Sequence, residues 1–249
     1  MTGLERTLVP LEIRGLTRRY GSLVAVDHLD LEVRAGEILG FLGPNGAGKT
    51  TTLRCISGLL RPHAGTIRVA GFDLEREALR ARASMGFVPD RPFLYPRLTA
   101  REFLDLVGAL YDVPGPRARE RGDELLTRLD LGRERDDLIE TFSLGMRQKV
   151  AVAAGLLHDP PLLLLDEPLG GLDPQSARAL KDLLRERASA GFGVLVSTHL
   201  LDVAERLCDR VAIVSHGRLR ASGTLEELRR GSGATTLEDV FLERVKEAP

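Results

Sequence analysis

Residues 43–51 read Gly43-Pro44-Asn45-Gly46-Ala47-Gly48-Lys49-Thr50-Thr51. The spacing is G-x-x-x-x-G-K-[ST], the pattern of a loop that wraps phosphate. An apolar run, Ile38-Leu39-Gly40-Phe41-Leu42, precedes it, and Thr51-Thr52-Leu53-Arg54-Cys55-Ile56 can open a helix after it. Strand, glycine loop and helix N-terminus are the context the motif needs. Gly43, Gly46 and Gly48 let the backbone turn inward without side chains in the way. Several N–H groups then face one anion, and the positive end of the helix dipole favours the same charge. Lys49 is expected on the β- and γ-phosphates, and the Thr50 hydroxyl on Mg²⁺.

The chain has 249 residues, 43% hydrophobic and 29% charged, the mix of a folded domain with a sizeable core. A formal net charge of -1 supplies no global field toward nucleic acid or an anionic membrane. Two cysteines, Cys55 and Cys208, make no disulfide framework or metal site, which suggests a reduced, intracellular protein. Met1 to Pro10 has no apolar core and is not expected to be a signal peptide. No run approaches the roughly 18 apolar residues of a membrane helix, so any membrane passage is expected from another chain.

On the N-terminal side, alternation predicts strands at Leu11–Leu16, Val24–Asp27 and Leu29–Val33. Tyr20, beside Gly21, is placed either to stack on a base or to cover a sheet edge. Beyond the first helix, which Gly58 ends, Thr66–Val69 and Met85–Val88 read as strands. Glu75–Ala83 reads as a short helix whose Arg76, Arg80 and Arg82 form a solvated face. Asp90 follows the second of these strands. The loop Arg91–Pro96 sets Phe93, Leu94 and Tyr95 between prolines, either as a docking groove or as core. Thr99 and Glu102 form a capping box for a helix over Arg101–Tyr111. Pro114-Gly115-Pro116 breaks it, and Arg117–Leu129 is a second helix.

Ser143 caps a third helix, Leu144–Leu157. The four leucines 162–165 read as a strand buried on both faces, with Asp166-Glu167 at its carboxyl end, where open α/β sheets bind ligands. Asp173 caps the next helix, with Pro174 at its first position. Val194–Ser197 is another buried strand, ending at Thr198-His199. Arg210–Val214 and Arg218–Ala221 form a hairpin across His216-Gly217. Gly231-Ser232-Gly233-Ala234 reads as a flexible linker before a last helix opened by Thr236–Asp239.

The Asp166-Glu167 pair complements the phosphate loop. Asp166 is expected to hold Mg²⁺ with Thr50, directly or through water, and Glu167 to act as general base on an attacking water. His199 is placed to bond the γ-phosphate or that water.

With these residues the chain resembles the ATP-binding cassette (ABC) family, over nearly its whole length and in the family's motif order. Tyr20 matches the aromatic that stacks on adenine, Gly43 to Thr51 the Walker A loop, and Leu162 to Glu167 Walker B. Phe142-Ser143-Leu144-Gly145-Met146 matches the signature usually written L-S-G-G-Q, Gly171-Leu172-Asp173 the D-loop, and Ser197-Thr198-His199 the switch histidine. Asp90 stands where the family usually has Gln, and Leu144 and Met146 where Gly and Gln are common. A short anionic Asp90 either ligates the metal or points to solvent.

The resemblance implies an α/β fold: a P-loop NTPase core with a mixed, largely parallel sheet, an antiparallel β flank and an inserted α-helical subdomain. The expected division is core and flank at 1–89 and 159–230, helical signature subdomain at 90–158, and linker with C-terminal helix at 231–249. It also implies ATP and Mg²⁺ as cofactors, and ATP hydrolysis that drives export through a separate transmembrane permease. ATP is expected between two head-to-tail copies, with Ser143 and Gly145 of one reaching the γ-phosphate held by the other, and Asp173 at the same junction. The cassette would be cytoplasmic and peripheral at the inner face of the membrane, and its C-terminal segment resembles ABC-2 type exporters. Two other classes compete: a nucleic-acid clamp, which would carry a long coiled coil between Gly48 and Ser143, and a nucleotide-binding regulator without turnover, which Glu167 argues against. No nucleic-acid partner is expected.

Overall fold

The computed structural model describes residues 8–232 and 236–246. Two sheets face each other. The first is antiparallel, built from β1 (Leu11–Tyr20), β2 (Leu23–Val33), β4 (Ala64–Val69) and β5 (Phe72–Asp73), in the order β2-β1-β4-β5. The second has six strands: β3 (Ile38–Leu42), β6 (Met85–Val88), β7 (Leu162–Asp166), β8 (Gly193–Thr198), β9 (Arg210–Ser215) and β10 (Arg218–Gly223). Its order is β10-β9-β3-β8-β7-β6, parallel throughout except for the β9–β10 hairpin.

The parallel strands are apolar runs because both of their faces are buried. Successive side chains point to opposite faces, so one strand feeds two cores. Leu163 and Leu165 of β7 join Val194 and Val196 of β8 in a core under the helices. Leu162 and Leu164 join Leu195, Leu39 and Phe41 in a second core, closed by Leu11, Ile13, Leu16 and other residues of the antiparallel sheet.

Nine helices lie among the described residues. After the phosphate loop comes α1 (Lys49–Ile56), and then α2 (Ala78–Ala83). Three follow β6: α3 (Ala100–Leu110), α4 (Gly115–Arg128) and α5 (Leu144–Leu156), packed on one another, with α5 also against β6. Four more are α6 (Pro174–Ser189), α7 (Leu201–Leu207), α8 (Leu225–Ser232) and α9 (Leu237–Lys246). Salt bridges tie α4 to α6 and the α5–β7 connection: Arg128 with Glu186, and Arg121 with Asp159, which Arg187 also meets at 3.0 Å.

Most elements lie where the sequence put them, and the differences have local causes. The two predicted strands around His28 are one strand. His28 takes a left-handed φ of 49°, and the β1–β2 register shifts around this region, so a bulge reads as a break. The helix predicted from Glu75 begins at Ala78, because the Asp73 carboxylate accepts from the Glu75 and Arg76 N–H groups and holds a turn there. The Thr99–Glu102 capping box is present in full. Of the predicted linker, Gly231 and Ser232 belong to α8, while 233–235 lie outside the described residues. Helices α7 and α8 have no counterpart in the sequence reading. Each is seven or eight residues long, too short for a helical repeat to declare itself.

Gly86 of β6 carries the approach of α5 to the sheet. A Cβ there would stand 2.1 Å from the Gly155 carbonyl oxygen, a backbone atom that cannot move alone. Gly86→Ala is expected to lower stability by about 2–3 kcal/mol, at the upper end of overpacking costs. A denaturant midpoint unchanged from the wild type would show that α5 does not need this contact.

Candidate active site

The phosphate loop connects the carboxyl end of β3 to α1 and is clamped from two sides. A Cβ on Gly43 would meet the Val214 carbonyl oxygen of β9 at 2.5 Å, and one on Gly48 would meet the Ala25 carbonyl oxygen of β2 at 2.4 Å. Gly48 also has φ 104°, in the range that favours glycine. It caps α1 without a side-chain hydrogen bond, and the first turn holds no acidic residue. The first N–H groups of α1 therefore present a positive end to the loop's concave side. Lys49 is nearly buried, and its Nζ donates to the carbonyl oxygens of Gly43 at 2.6 Å and Pro44 at 3.2 Å. Burial holds its pKa below the usual lysine value, and the nearby Glu167 and Asp166 oppose that shift.

Three neighbouring strands, β3, β8 and β7, deliver the rest of the site at their carboxyl ends. The Thr50 hydroxyl donates to Asp166 Oδ2 at 3.0 Å. Asp166 is 2% exposed, and burial pushes its pKa above the usual carboxylate value. The Thr50 hydroxyl works against that shift, while the charges of Glu167 and Asp90 add to it. Glu167 has a left-handed φ of 49°, and its N–H donates to the Ser197 carbonyl at 2.9 Å. Its carboxylate is held twice: Thr198 Oγ1 donates to Oε2 at 3.0 Å, and His199 Nδ1 lies 2.7 Å from Oε1.

Around these groups lies a cavity of about 590 Å³. Tyr20, all of Asn45–Thr51, Asp90, Asp166 and Glu167 line it. Gly43 and Pro44 do not line it and meet it only through the Lys49 ammonium that their carbonyls receive. His199 reaches the cavity through Glu167 rather than lining it. Asp90 lies in the cavity wall with Thr50 and Asp166 and is also exposed to solvent, so both of its expected placements stay open.

The remaining predicted residues lie elsewhere. Ser143 caps α5, its oxygen accepting from the Met146 N–H at 3.2 Å. Gly145 packs against the Gly171–Asp173 turn, with Leu172 and the Gly171 carbonyl nearest. Asp173 caps α6, and its bonds from Ser176 hold its carboxyl below the usual range, with the Lys149 charge adding to the effect. None of Ser143, Gly145 and Asp173 lines the cavity. Sequence reasoning missed two contributors: Leu23, Val24 and Ala25 at the start of β2, and the His216-Gly217 turn. The Gly217 N–H donates to the Ala47 carbonyl at 3.0 Å, the Asp27 N–H donates to the Gly217 carbonyl at 2.8 Å, and both turn residues line the cavity. The hairpin was legible, but its placement against the loop follows from β9 pairing with β3.

Residues 26–170 match the family described as ABC transporter. The chain is an ABC ATP-binding cassette. A daunorubicin/doxorubicin resistance ATP-binding protein of Streptomyces peucetius is 43% identical to it, over 91% of this chain and 69% of that protein. A Nod factor export ATP-binding protein of Ralstonia nicotianae is 40% identical, over 88% and 68%. Among solved structures, an ATP-binding subunit of an ABC transporter superimposes with a TM-score of 0.89 at 36% identity, over 94% of this cassette and 98% of that chain. A dimeric ATP-binding cassette in a post-hydrolysis state with ADP and phosphate superimposes at 0.78, with 27% identity, over 86% and 98%. The cassette is an ATPase with the P-loop NTPase fold expected of it.

The carboxylates crowded around Lys49 suit a divalent cation. Among the described residues no group of three or more His, Cys, Asp or Glu side chains is arranged to hold a metal alone. The donors present, the Thr50 hydroxyl and the Asp166 carboxylate, are hard oxygens. They suit Mg²⁺, which keeps waters and takes phosphate oxygens as its other ligands.

Ionised Asp166 is costly in the free protein, because its folded pKa is raised. Asp166→Asn keeps an oxygen for the Thr50 hydroxyl and removes the charge. At neutral pH the nucleotide-free variant is expected to melt above the wild type, by about 2–4 °C for each kcal/mol of charge burial and repulsion relieved. The folded state holds this proton more tightly than the unfolded one, so the gap closes as pH falls through the raised Asp166 pKa. Differential scanning calorimetry over a pH series checks both. An equal or lower melting temperature at neutral pH would contradict the electrostatic account.

Proposed function

We propose that the cassette hydrolyses MgATP between two head-to-tail copies of itself and passes the resulting motion to a separate membrane permease that exports a cargo. The supporting observation is the split site. Lys49, Thr50, Asp166 and Glu167 converge on one cavity, while Ser143, at the start of a helix, does not line it in the same chain. A hydroxyl and the N–H groups at a helix start suit an anion, and a second copy would present them to the open side of the cavity.

In this reading the purine lies on Tyr20 and the triphosphate in the Asn45–Thr51 loop. Lys49 turns from its loop carbonyls to the β- and γ-phosphates. Mg²⁺, held by Thr50 and Asp166, would neutralise charge on the β- and γ-phosphate oxygens. Glu167 accepts a proton from a water as the water oxygen bonds to the γ-phosphorus and the bond to the ADP oxygen breaks. Thr198 and His199 fix the Glu167 carboxylate, so it meets that water in one orientation. Asp173 and Gly145 lie at the junction between the copies.

We divide the chain into core and flank at 1–89 and 159–230 and a helical subdomain at 90–158, with the last helix after it. The subdomain carries both Ser143 and a groove of about 540 Å³. Phe93, Phe103 and Tyr111 line the groove, which shares Thr50, Asp90 and Asp166 with the nucleotide cavity. Phe93 is 83% exposed while Leu94 is buried, so the loop offers an aromatic side chain outward and anchors itself with its neighbour. An apolar helix of the permease fits such a groove, and the shared wall lets occupancy on one side bias the other. No helix of the described residues is long and apolar enough to cross a membrane, so attachment to the inner face would come from that partner. The exporters among the relatives support the direction of transport.

Glu167→Gln is expected to cut turnover at least about a hundredfold, as loss of a general base does, and to accumulate a MgATP-bound dimer measurable by light scattering. Lys49→Ala is expected to weaken nucleotide binding and to form no such dimer. A Glu167→Gln protein that stays monomeric with saturating MgATP would overturn the two-copy site.

A further inference from the structure

Tyr20 is not alone at its end of the cavity. The Arg18 guanidinium lies over its ring, 4.9 Å from the centroid. The two residues are two apart near the end of β1, where the β1–β2 register shifts between Arg18 and Arg19. Tyr20 is 43% exposed and lines the cavity, whereas Arg18 is half-buried and does not. The guanidinium therefore occupies one side of the ring and leaves another open to the cavity.

Arg18 is itself fixed. Its Nη1 donates to the Arg61 carbonyl at 2.8 Å, beside the point where the His63 N–H donates to the Thr17 carbonyl at 2.8 Å. Arg61 is in turn paired with Glu75. On the inner side, the charge of Arg18 is felt by the buried Cys55 thiol of α1. Burial pushes that thiol up to about 11, and Arg18 pulls the other way. The cation thus sits between the ring and the body of the protein.

We infer that Arg18 is a positioning residue for the nucleotide base: it backs the Tyr20 ring so that cation, phenol and purine stack in three layers. The inference rests on the reading that Tyr20 receives the base. A guanidinium on one face of an aromatic ring is attracted to its negative quadrupole. It draws electron density toward itself, which lowers the repulsion between the other face and the π-cloud of a stacked base. It also holds a half-exposed side chain in one rotamer before the ligand arrives, so less conformational entropy is lost on binding. Both effects act on the base and neither touches the phosphates, which Arg18 does not approach.

The test compares MgATP with magnesium tripolyphosphate by calorimetric titration on the full chain. Arg18→Gln keeps a donor for the Arg61 carbonyl and removes the cation. It is expected to raise the Kd for ATP about three- to thirty-fold, the range such contacts span, and to leave tripolyphosphate affinity unchanged. Arg18→Lys, which keeps the charge, is expected to recover most of the loss. Tyr20→Ala serves as the reference and is expected to weaken ATP alone. If Tyr20→Ala weakens ATP and Arg18→Gln does not, the base reading stands and the role of Arg18 falls. If Tyr20→Ala leaves the ratio of the two affinities unchanged, the base reading fails and takes the inference with it. An equal loss for both ligands in Arg18→Gln would mean general loosening of the strand end, and would also overturn it.

Discussion

At two of its glycines, Gly43 and Gly48, the phosphate loop lies closer to its neighbours than a side chain would allow. Gly43 is pressed on Val214 of the six-stranded sheet and Gly48 on Ala25 of the antiparallel sheet. The loop is therefore the wedge where the two sheets meet. The Gly217 turn completes the clamp by bonding to Ala47 on one side and Asp27 on the other. A loop held this way keeps its N–H groups aimed without help from a ligand, and such preorganisation is what an anion site needs.

The same clamping accounts for the electrostatics. Burying Lys49 lowers its pKa, and burying Asp166 raises its own, so each group is strained toward neutrality. They sit in one cavity wall with Glu167 and Asp90, and the negative charges outnumber the positive. A phosphate chain added alone would worsen that balance. Added together with a divalent cation, which cancels two of its charges, it worsens the balance far less. The site thus favours the nucleotide and its metal as a unit, and Asp90, where a neutral Gln is more common, deepens that preference.

Asymmetry within one chain is the other organising fact. The helix that Ser143 caps packs through Gly145 on the turn that leads to Asp173. Capping residue and turn therefore form one continuous piece. Because α4 is tied to α6 by Arg128 and Glu186, and to Asp159 through Arg121, that piece is braced against the strands that carry Asp166 and Glu167.

Much of this was legible in residue order, because its causes are local. The glycine loop, the Thr99–Glu102 box, the Ser143 and Asp173 caps and the doubly buried leucines 162–165 each need only neighbours a few positions away. Family resemblance supplied the expectation that Ser143 meets a phosphate held by another copy, which a single chain does not display. The bulge at His28 misled, because a left-handed residue inside a strand looks like its end. The short helices α7 and α8 were silent, because seven or eight residues held by tertiary packing carry little period of their own. What residue order could not decide was adjacency. That β8 lies between β3 and β7, that the His216-Gly217 turn lies against Ala47, and that Arg18 reaches the Arg61 carbonyl all depend on which strands pair. Pairing is chosen by burial of the whole sheet, a long-range balance to which each strand contributes and which none of them encodes alone.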